Sequence, residues 1–457
     1  MSKIDDLALN QEQRKLEDEK KRVKKDDLKT IQTSFYEKDE LLLEQIHSDG
    51  LNTFLMFNAK TEEIQNIPLL TLSDAIIKPN NGEDVTLGAI KLPSCITEYE
   101  NTLSLLEELK THIHRYLDLS PDFLIFTTYY ILLSWLFDCF RTLPYLRALG
   151  DTGCGKSRFL DVIRGLCYKA IIASGCVTPA PIYRMLKKWR GTLVLDEADL
   201  KSSDEYNEVI TILNCGFECG RPVIRATRDN PENVQILPVY SPKVFATRRR
   251  FQDVAMEARC LTEIMKETDR DDIPSVLTRK FFAEEQVLRN KLLLFRFRNY
   301  HKVDPEAISN LKLDGIEPRL RQISEAITSL FANEPHVLQS YKTFIKKQQK
   351  ELIEQRAITN SGQVVQTLFE LIERSVTRVT RVTTETGDSV YDITAKDIGD
   401  KLGLSPQATG QILKSLGLET ILCKIDGISK RRIANKPRIF IKLKKRYILE
   451  EEQADDE

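Results

Sequence analysis

Long hydrophobic runs are missing from this 457-residue chain. Its most apolar stretch, Phe123 to Phe137, is bounded by Asp122 and Asp138 and interrupted by Thr127, Thr128, Tyr129, Tyr130 and Ser134. A bilayer span needs about 20 apolar residues, so this stretch predicts a buried helix and no membrane partner. Residues 1–30 are dominated by Lys, Glu and Asp and lack the apolar centre of a secretory signal. Paired metal-ligand spacing is missing too. The nine cysteines are odd in number, and Cys215 and Cys219, one helical turn apart, have no nearby Cys or His pair to complete a zinc site. His112 and His114 stand two apart and do not share a helix face. Free thiols without a leader predict a reducing, cytoplasmic setting. Charge of one sign is also lacking. The net of −1 excludes little, however, because the charges are segregated along the chain.

The length suits about three domains, and 41% hydrophobic with 30% charged residues describes a charge-rich globular protein. Residues 1–33 read as a charged arm, helical or disordered. From 34 to 96, short apolar runs alternate with turn signals such as Ser48-Asp49-Gly50 and Asn80-Asn81-Gly82, predicting a small β-rich domain. Residues 97–141 supply a helical lead-in, with Tyr99, Leu103, Leu106, Ile113 and Leu117 at helical spacing. Between 142 and 270, strand-like runs at Tyr145–Leu149, Ala170–Ala173, Thr192–Leu195 and Lys243–Ala246 alternate with helical segments. That alternation predicts a mostly parallel α/β sheet. Residues 271–357 read as helices, 358–449 as a compact domain and 450–457 as an acidic tail.

Gly150-Asp151-Thr152-Gly153-Cys154-Gly155-Lys156-Ser157 fits the phosphate-binding loop G-x-x-x-x-G-K-[ST] at every fixed position, between a predicted strand and a predicted helix. Glycines let successive N–H groups turn toward one phosphate, and the helix adds the positive end of its dipole. Lys156 is placed to reach the β- and γ-phosphates of ATP, and the Ser157 hydroxyl to hold Mg²⁺. Forty positions on, Thr192-Leu193-Val194-Leu195 ends in Asp196-Glu197. A buried strand delivering two carboxylates to the sheet's carboxyl edge suits a metal-orienting Asp196 and a water-polarising Glu197. The strand from Lys243 ends in Thr247. In a parallel sheet its end is expected between loop and acidic strand, where Thr247 can bond the γ-phosphate or its water. A plain strand-end cap is the alternative.

Loop, Asp-Glu strand, polar strand end and then Glu257-Ala258-Arg259-Cys260 resemble the Walker A, Walker B, sensor 1 and arginine-finger series of the AAA+ ATPases. The resemblance covers about 145–445 and implies a P-loop NTPase core with a helical lid. It also implies a homo-oligomeric ring, such as a hexamer, in which Arg259 reaches a neighbour's γ-phosphate. An intramolecular partner for Arg259, or a finger role for Arg248, Arg249 or Arg250, stays open. Gly315-Ile316-Glu317-Pro318-Arg319-Leu320-Arg321 resembles the sensor 2 position, with Arg319 or Arg321 touching the nucleotide. The segments Pro222–Arg228 and Asn233–Tyr240 are similar to the pore hairpin of MCM-type and RuvB-type motors. That similarity puts Arg225 and Arg228 near DNA, although Asp229 and Glu232 sit at the tip.

Ile393–Leu402, a Gly403-Leu404-Ser405-Pro406 turn and Gln407–Leu416 form a helix-turn-helix pattern with Ser405 as cap. Lys430, Arg431, Arg432, Lys436, Arg438 and Ile439–Leu443 resemble the wing and closing strand of a winged helix. Residues 360–449 hold 16 Lys and Arg against nine Asp and Glu, which suits DNA. Gln407, Thr409, Gln411 and Lys414 are the groove-facing candidates, with Lys430, Arg431 and Arg432 on the backbone. Protein docking is the other use of such a module. The expected function is an ATP-hydrolysing DNA helicase or translocase of replication, including that of a mobile element. An ATP-gated DNA-binding initiator or regulator without motor activity is the rival.

Overall fold

The computed structural model describes residues 28–173, 178–196, 204–226, 234–251, 253–304, 313–375, 382–383, 389–425 and 428–449. The chain divides into two compact units. The first holds residues up to Phe251, Arg259–Asp314 and Arg321–Tyr341. The second holds Gln252–Ala258, Gly315–Leu320 and the chain from Lys342 onward.

The first unit begins with strands β1 (Lys29–Thr33), β2 (Phe35–Lys38), β3 (Leu41–Ser48), β4 (Leu51–Asn58), β5 (Ile64–Ile67), β6 (Leu70–Thr71) and β7 (Ala75–Pro79). β2 to β5 form an antiparallel sheet in chain order, while β1, β7 and β6 make a second, smaller sheet. Asp49 and Gly50 both adopt positive φ (52° and 77°) between β3 and β4, where Ser48 pairs with Leu51. That is a two-residue turn whose twist matches the strands it joins. Helix α1 (Thr102–Tyr116) starts on a reciprocal cap between Asn101 and Ser104. Helix α2 (Pro121–Trp135) is buried along almost its whole length, as its apolar sequence predicts. No described helix is long and apolar enough to cross a membrane.

The core of this unit is a five-stranded, wholly parallel sheet of β8 (Tyr145–Leu149), β9 (Ile171–Ala173), β10 (Leu193–Leu195), β13 (Lys243–Thr247) and β14 (Cys260–Ile264). Its spatial order is β14-β8-β13-β10-β9. Helices α3 (Lys156–Arg164), α4 (Pro179–Trp189) and α5 (Asp204–Cys215) lie between its strands in sequence, as does a hairpin of β11 (Val223–Ala226) and β12 (Val234–Leu237). Fully buried Lys243 donates to the carbonyls of Gly216, Val239 and Ser241, tying the ends of the hairpin segment to the start of β13. Burial pulls its ammonium well below the ordinary lysine range.

The β-rich segment falls in the same compact unit as the parallel sheet. Helix α6 (Arg279–Asn299) sends Arg296 into a buried cluster where its Nε lies 2.6 Å from Glu44 of β3 and its Nη2 2.7 Å from Asp138. Lys169 and the Tyr168 hydroxyl reach the same Glu44 carboxylate at 2.8 Å. The guanidinium also stacks on Phe35, Tyr168 and Tyr300. A buried carboxylate must find several donors at once, and here they come from both parts of the unit.

Two helices, α7 (Pro318–Ser329) and α8 (Pro335–Ala357), follow. The second unit carries α9 (Asn360–Ser375), the short strands β15 (Val382–Thr383) and β16 (Ser389–Val390), α10 (Ala395–Leu402), α11 (Pro406–Ser415), β17 (Thr420–Ile425), β18 (Ile428–Ile433) and α12 (Pro437–Tyr447). Thr394 and Asp397 make a capping box for α10, Gly403 ends it at φ 67°, and the Ser405 hydroxyl caps α11 ahead of Pro406. β17 and β18 pair as an antiparallel hairpin. The expected closing strand at Ile439–Leu443 is instead part of helix α12. Ile439, Ile441 and Leu443 alternate as a strand would. The buried residues, however, are Phe440, Leu443 and Tyr447, at helical spacing, and Ile441 is exposed. Pro437 at the first helical position sets φ for the helix.

Candidate functional site

The loop Gly150–Gly155 leaves the carboxyl end of β8 and enters α3 at Lys156. Gly153 and Gly155 take φ of 91° and 86°, conformations that cost a side-chain-bearing residue about 1–2 kcal/mol. Gly150 is required for a different reason. A Cβ there would lie 2.7 Å from both Cys154 Sγ and the Met265 carbonyl oxygen. The loop is curled around its own lysine. Lys156 Nζ donates to the Gly150 carbonyl at 2.7 Å and to the Asp151 carbonyl, and Cys154 Sγ donates to that same Asp151 oxygen at 3.0 Å. These neutral carbonyls hold the ammonium where it can exchange them for anionic oxygens, a stronger class of partner. Asp151, Thr152 and Ser157 are exposed around it.

The sheet order places β13 between β8 and β10, as the sequence reading required. Thr247 pairs with Leu149, and the Gly150 amide donates to the Thr247 carbonyl at 3.1 Å. Thr247 is 1% exposed, and its hydroxyl finds no hydrogen-bond partner among the described residues. A buried hydroxyl without a partner costs about 1–3 kcal/mol, which a strand-end cap does not explain. Asp196 follows β10 at the same edge, its amide bonded to the Ala173 carbonyl and its side chain half-exposed. A hydroxyl at Ser157 and a carboxylate at Asp196 are hard oxygen donors of the kind Mg²⁺ takes. The orphaned Thr247 hydroxyl supplies one more polar group beside the loop. The donor set therefore fits a magnesium-bound triphosphate. Glu197 and Arg228 lie outside the described residues. Among the described residues, no group of three His, Cys, Asp or Glu side chains could hold a metal ion.

Arg259 is placed inside the first unit. It is 5% exposed, its Nη1 donates to Asn214 Oδ1 at 2.6 Å, and its guanidinium stacks 4.3 Å from the Phe217 ring. That is the intramolecular arrangement, and a trans role requires the side chain to leave it. Arg248 and Arg249 are exposed and Arg250 half-buried, directly after Thr247 at the loop edge of the sheet. Arg319 and Arg321 fall at the start of α7, half-buried and exposed respectively.

One group at the loop and one in the strand before it left no signal in the sequence. Met265 closes over Gly150, its amide bonded to the Leu149 carbonyl at 2.7 Å. Arg147, fully buried in β8, bonds the Thr262 hydroxyl at 2.9 Å and lies under Phe251, which follows the three arginines. Neither matches a motif, because both act through where the chain returns in space.

The DNA candidates separate sharply. Gln407, Gln411 and Lys414 are exposed along one face of α11. Thr409 is not groove-facing. It is fully buried and its hydroxyl donates to the Ser405 carbonyl. Lys430 and Arg431 are exposed, whereas Arg432 is buried, with its Nε 2.5 Å from Asp392 and its Nη1 donating to the Cys423 carbonyl. On the β11–β12 hairpin Arg225 is partly exposed but engaged, 2.8 Å from Glu208 and over the Tyr183 ring. The hairpin's outward face carries Ile224, Val234 and Ile236 instead.

No family model matches the chain, and no curated protein does. Among solved structures it is similar to the active helicase Cch of SCCmec type IV at 9% identity, covering 91% of this chain and 80% of that one, with a TM-score of 0.40. It is similar to the C-terminal region of NrS-1 at 11% identity, with 86% and 95% covered and a TM-score of 0.38. The JCV helicase shares 14%, with 50% and 61% covered and a TM-score of 0.26. Likenesses of that size leave the functional reading to the residues themselves.

Proposed function

We propose that the chain is an ATP-hydrolysing, DNA-acting protein built on an AAA+-type core, and that it works as a helicase or translocase. One observation carries the reading: the Gly150–Gly155 loop, the Thr247 strand and the Asp196 strand stand side by side in one parallel sheet, with a buried hydroxyl beside the loop that has no partner among the described residues. In this reading Lys156 and the loop amides bind and orient the triphosphate. Ser157 and Asp196 would hold Mg²⁺, which would supply charge neutralisation for the triphosphate. Glu197 accepts the proton of the attacking water, and Thr247 orients that water or the γ-phosphate. Arg319 or Arg321 supplies a further cation, and Arg259, or one of Arg248–Arg250, serves as the finger in a homo-oligomeric ring. The helix-turn-helix with its exposed Gln407, Gln411 and Lys414, and Lys430 and Arg431 on the hairpin, contact DNA.

ATP turnover measured with and without single- and double-stranded DNA, together with strand displacement on a forked duplex, tests this. DNA should stimulate turnover, and Glu197→Gln should abolish it and the unwinding. DNA binding without stimulation or unwinding would remove the motor. Mixing Arg259→Ala with Lys156→Ala protein should restore some activity if Arg259 acts in trans. A fully active monomer overturns that assignment. A second reading, an ATP-gated DNA switch without translocation, is favoured by the hairpin, whose Arg225 is engaged by Glu208 and whose outer face is apolar.

A further inference from the structure

The helix that replaces the expected closing strand has the most one-sided charge of the second unit's helices. Residues Pro437–Tyr447 hold five Lys and Arg and no acid. The helix-turn-helix pair is poorer: α11 has Lys414 alone, and in α10 Lys396 and Lys401 are matched by Asp397 and Asp400. Phe440, Leu443 and Tyr447 fix the orientation of α12 by packing inward, Phe440 against the rings of Phe369 and Tyr391. On a helix of 3.6 residues per turn, Arg438, Lys442 and Lys445 then fall on the opposite side as a single ridge, spanning about 10 Å. All three are exposed, as is neighbouring Arg446, and none of the four forms an ion pair among the described residues.

Helix stability does not account for the ridge. Lys445 and Arg446 in the last turn favour the helix dipole, but Arg438 at the second helical position opposes it, and no acid stands one turn away from Lys442. Membrane attachment does not account for it either. An interfacial helix inserts its apolar face, and here Phe440, Leu443 and Tyr447 are already buried in the protein. Cations without an ion partner among the described residues, set on one ridge, fit a polymer with closely spaced phosphates. Duplex DNA carries a charge per about 1.7 Å of axis.

We propose that the exposed ridge Arg438–Lys442–Lys445 of α12, flanked by Arg446, is a nucleic-acid backbone site that supplies much of the chain's salt-dependent affinity. Sequence readout stays with α11. The proposal rests on the DNA-acting reading above and assigns a surface that the helix-turn-helix pattern does not include.

The test uses the full chain with Arg438→Gln, Lys442→Gln and Lys445→Gln combined, and fluorescence anisotropy on single- and double-stranded DNA across a salt series. Affinity near physiological salt should fall on the order of 10- to 100-fold. The slope of log K against log salt on duplex should shrink by about 2–3, since each lost phosphate contact removes about 0.9. Basal ATP turnover and the melting temperature should stay unchanged, because the three side chains point away from the buried stripe. Lys442→Arg with Lys445→Arg should retain binding, whereas Gln411→Ala with Lys414→Ala should change preference among sequences more than the slope. A ridge variant with wild-type affinity and slope overturns the site while leaving the DNA-acting reading intact. So does a variant that loses only binding to phosphatidylserine vesicles. A wild-type chain that binds no DNA overturns the functional reading itself.

Discussion

Glu44 and Arg296 stand 252 positions apart in sequence and meet as a fully buried ion pair, 2.6 Å from Oε1 to Nε. The pair joins the N-terminal sheet to the helix that follows the parallel core. Desolvating both charges is expensive, so the pair contributes little by existing and much by being complete. Arg296→Met leaves Glu44 and Asp138 short of a cation, and we expect a loss of about 3–5 kcal/mol. Chemical denaturation of the variant checks it. A change below about 1 kcal/mol would mean that the cluster is not the fastening it resembles.

Lys169 shares Glu44, and burial pushes its ammonium down to about 8, against the pull of that carboxylate. The folded-state value lies below the unfolded one near 10.5. Between pH 8 and 10.5 the unfolded chain therefore binds the extra proton, and stability linked to this group rises with pH. The difference in unfolding free energy between wild type and Lys169→Met should move in favour of wild type from pH 7.5 to pH 10. An unchanged difference would show that Lys169 titrates normally.

Gly150 and Gly153 should respond differently to alanine. A Cβ at Gly150 meets Cys154 Sγ and the Met265 carbonyl at 2.7 Å, whereas one at Gly153 meets nothing within 4 Å and pays only for its φ of 91°. Gly150→Ala must displace backbone in the loop and should lose nucleotide binding. Gly153→Ala should cost about 1–2 kcal/mol and weaken binding less. Titration with a fluorescent ATP analogue compares them, and equal affinities would contradict the packing described.

Thr247→Val keeps the branched shape and deletes the hydroxyl that has no described partner. Stability should hold or rise by about 1 kcal/mol, while ATP turnover should fall about tenfold or more. A variant with normal turnover would return Thr247 to the role of a strand-end residue.

Much of the site is legible in the sequence because its parts are local. The loop glycines, Lys156 and Ser157 are consecutive, and buried strands ending in Asp196 and Thr247 are recognisable by their apolar runs. The Ser405 cap and Gly403 turn are equally local. Arg259, Thr409, Arg432 and Arg225 show where local reading stops. Each looks available by residue type, and each is taken up by a partner elsewhere in the fold: Asn214 and Phe217, the Ser405 carbonyl, Asp392, and Glu208 with Tyr183. The misread closing strand has the same origin. Ile439, Ile441 and Leu443 fit the strand period and Phe440, Leu443 and Tyr447 the helical one, and packing of Phe440 against Phe369 and Tyr391 goes with the helix.

By itself the sequence determined the glycine turn at 150–155, the alternation of strands and helices around it, and the helix-turn-helix, because backbone chemistry at glycines, caps and apolar runs acts over a few residues. Tertiary structure alone decided that Arg259 is engaged by Asn214 and Phe217, that the N-terminal sheet is fastened through Glu44, and which arginines remain exposed. Those outcomes depend on long-range burial, where a charged side chain takes whichever desolvated partner the folded chain brings within hydrogen-bonding distance.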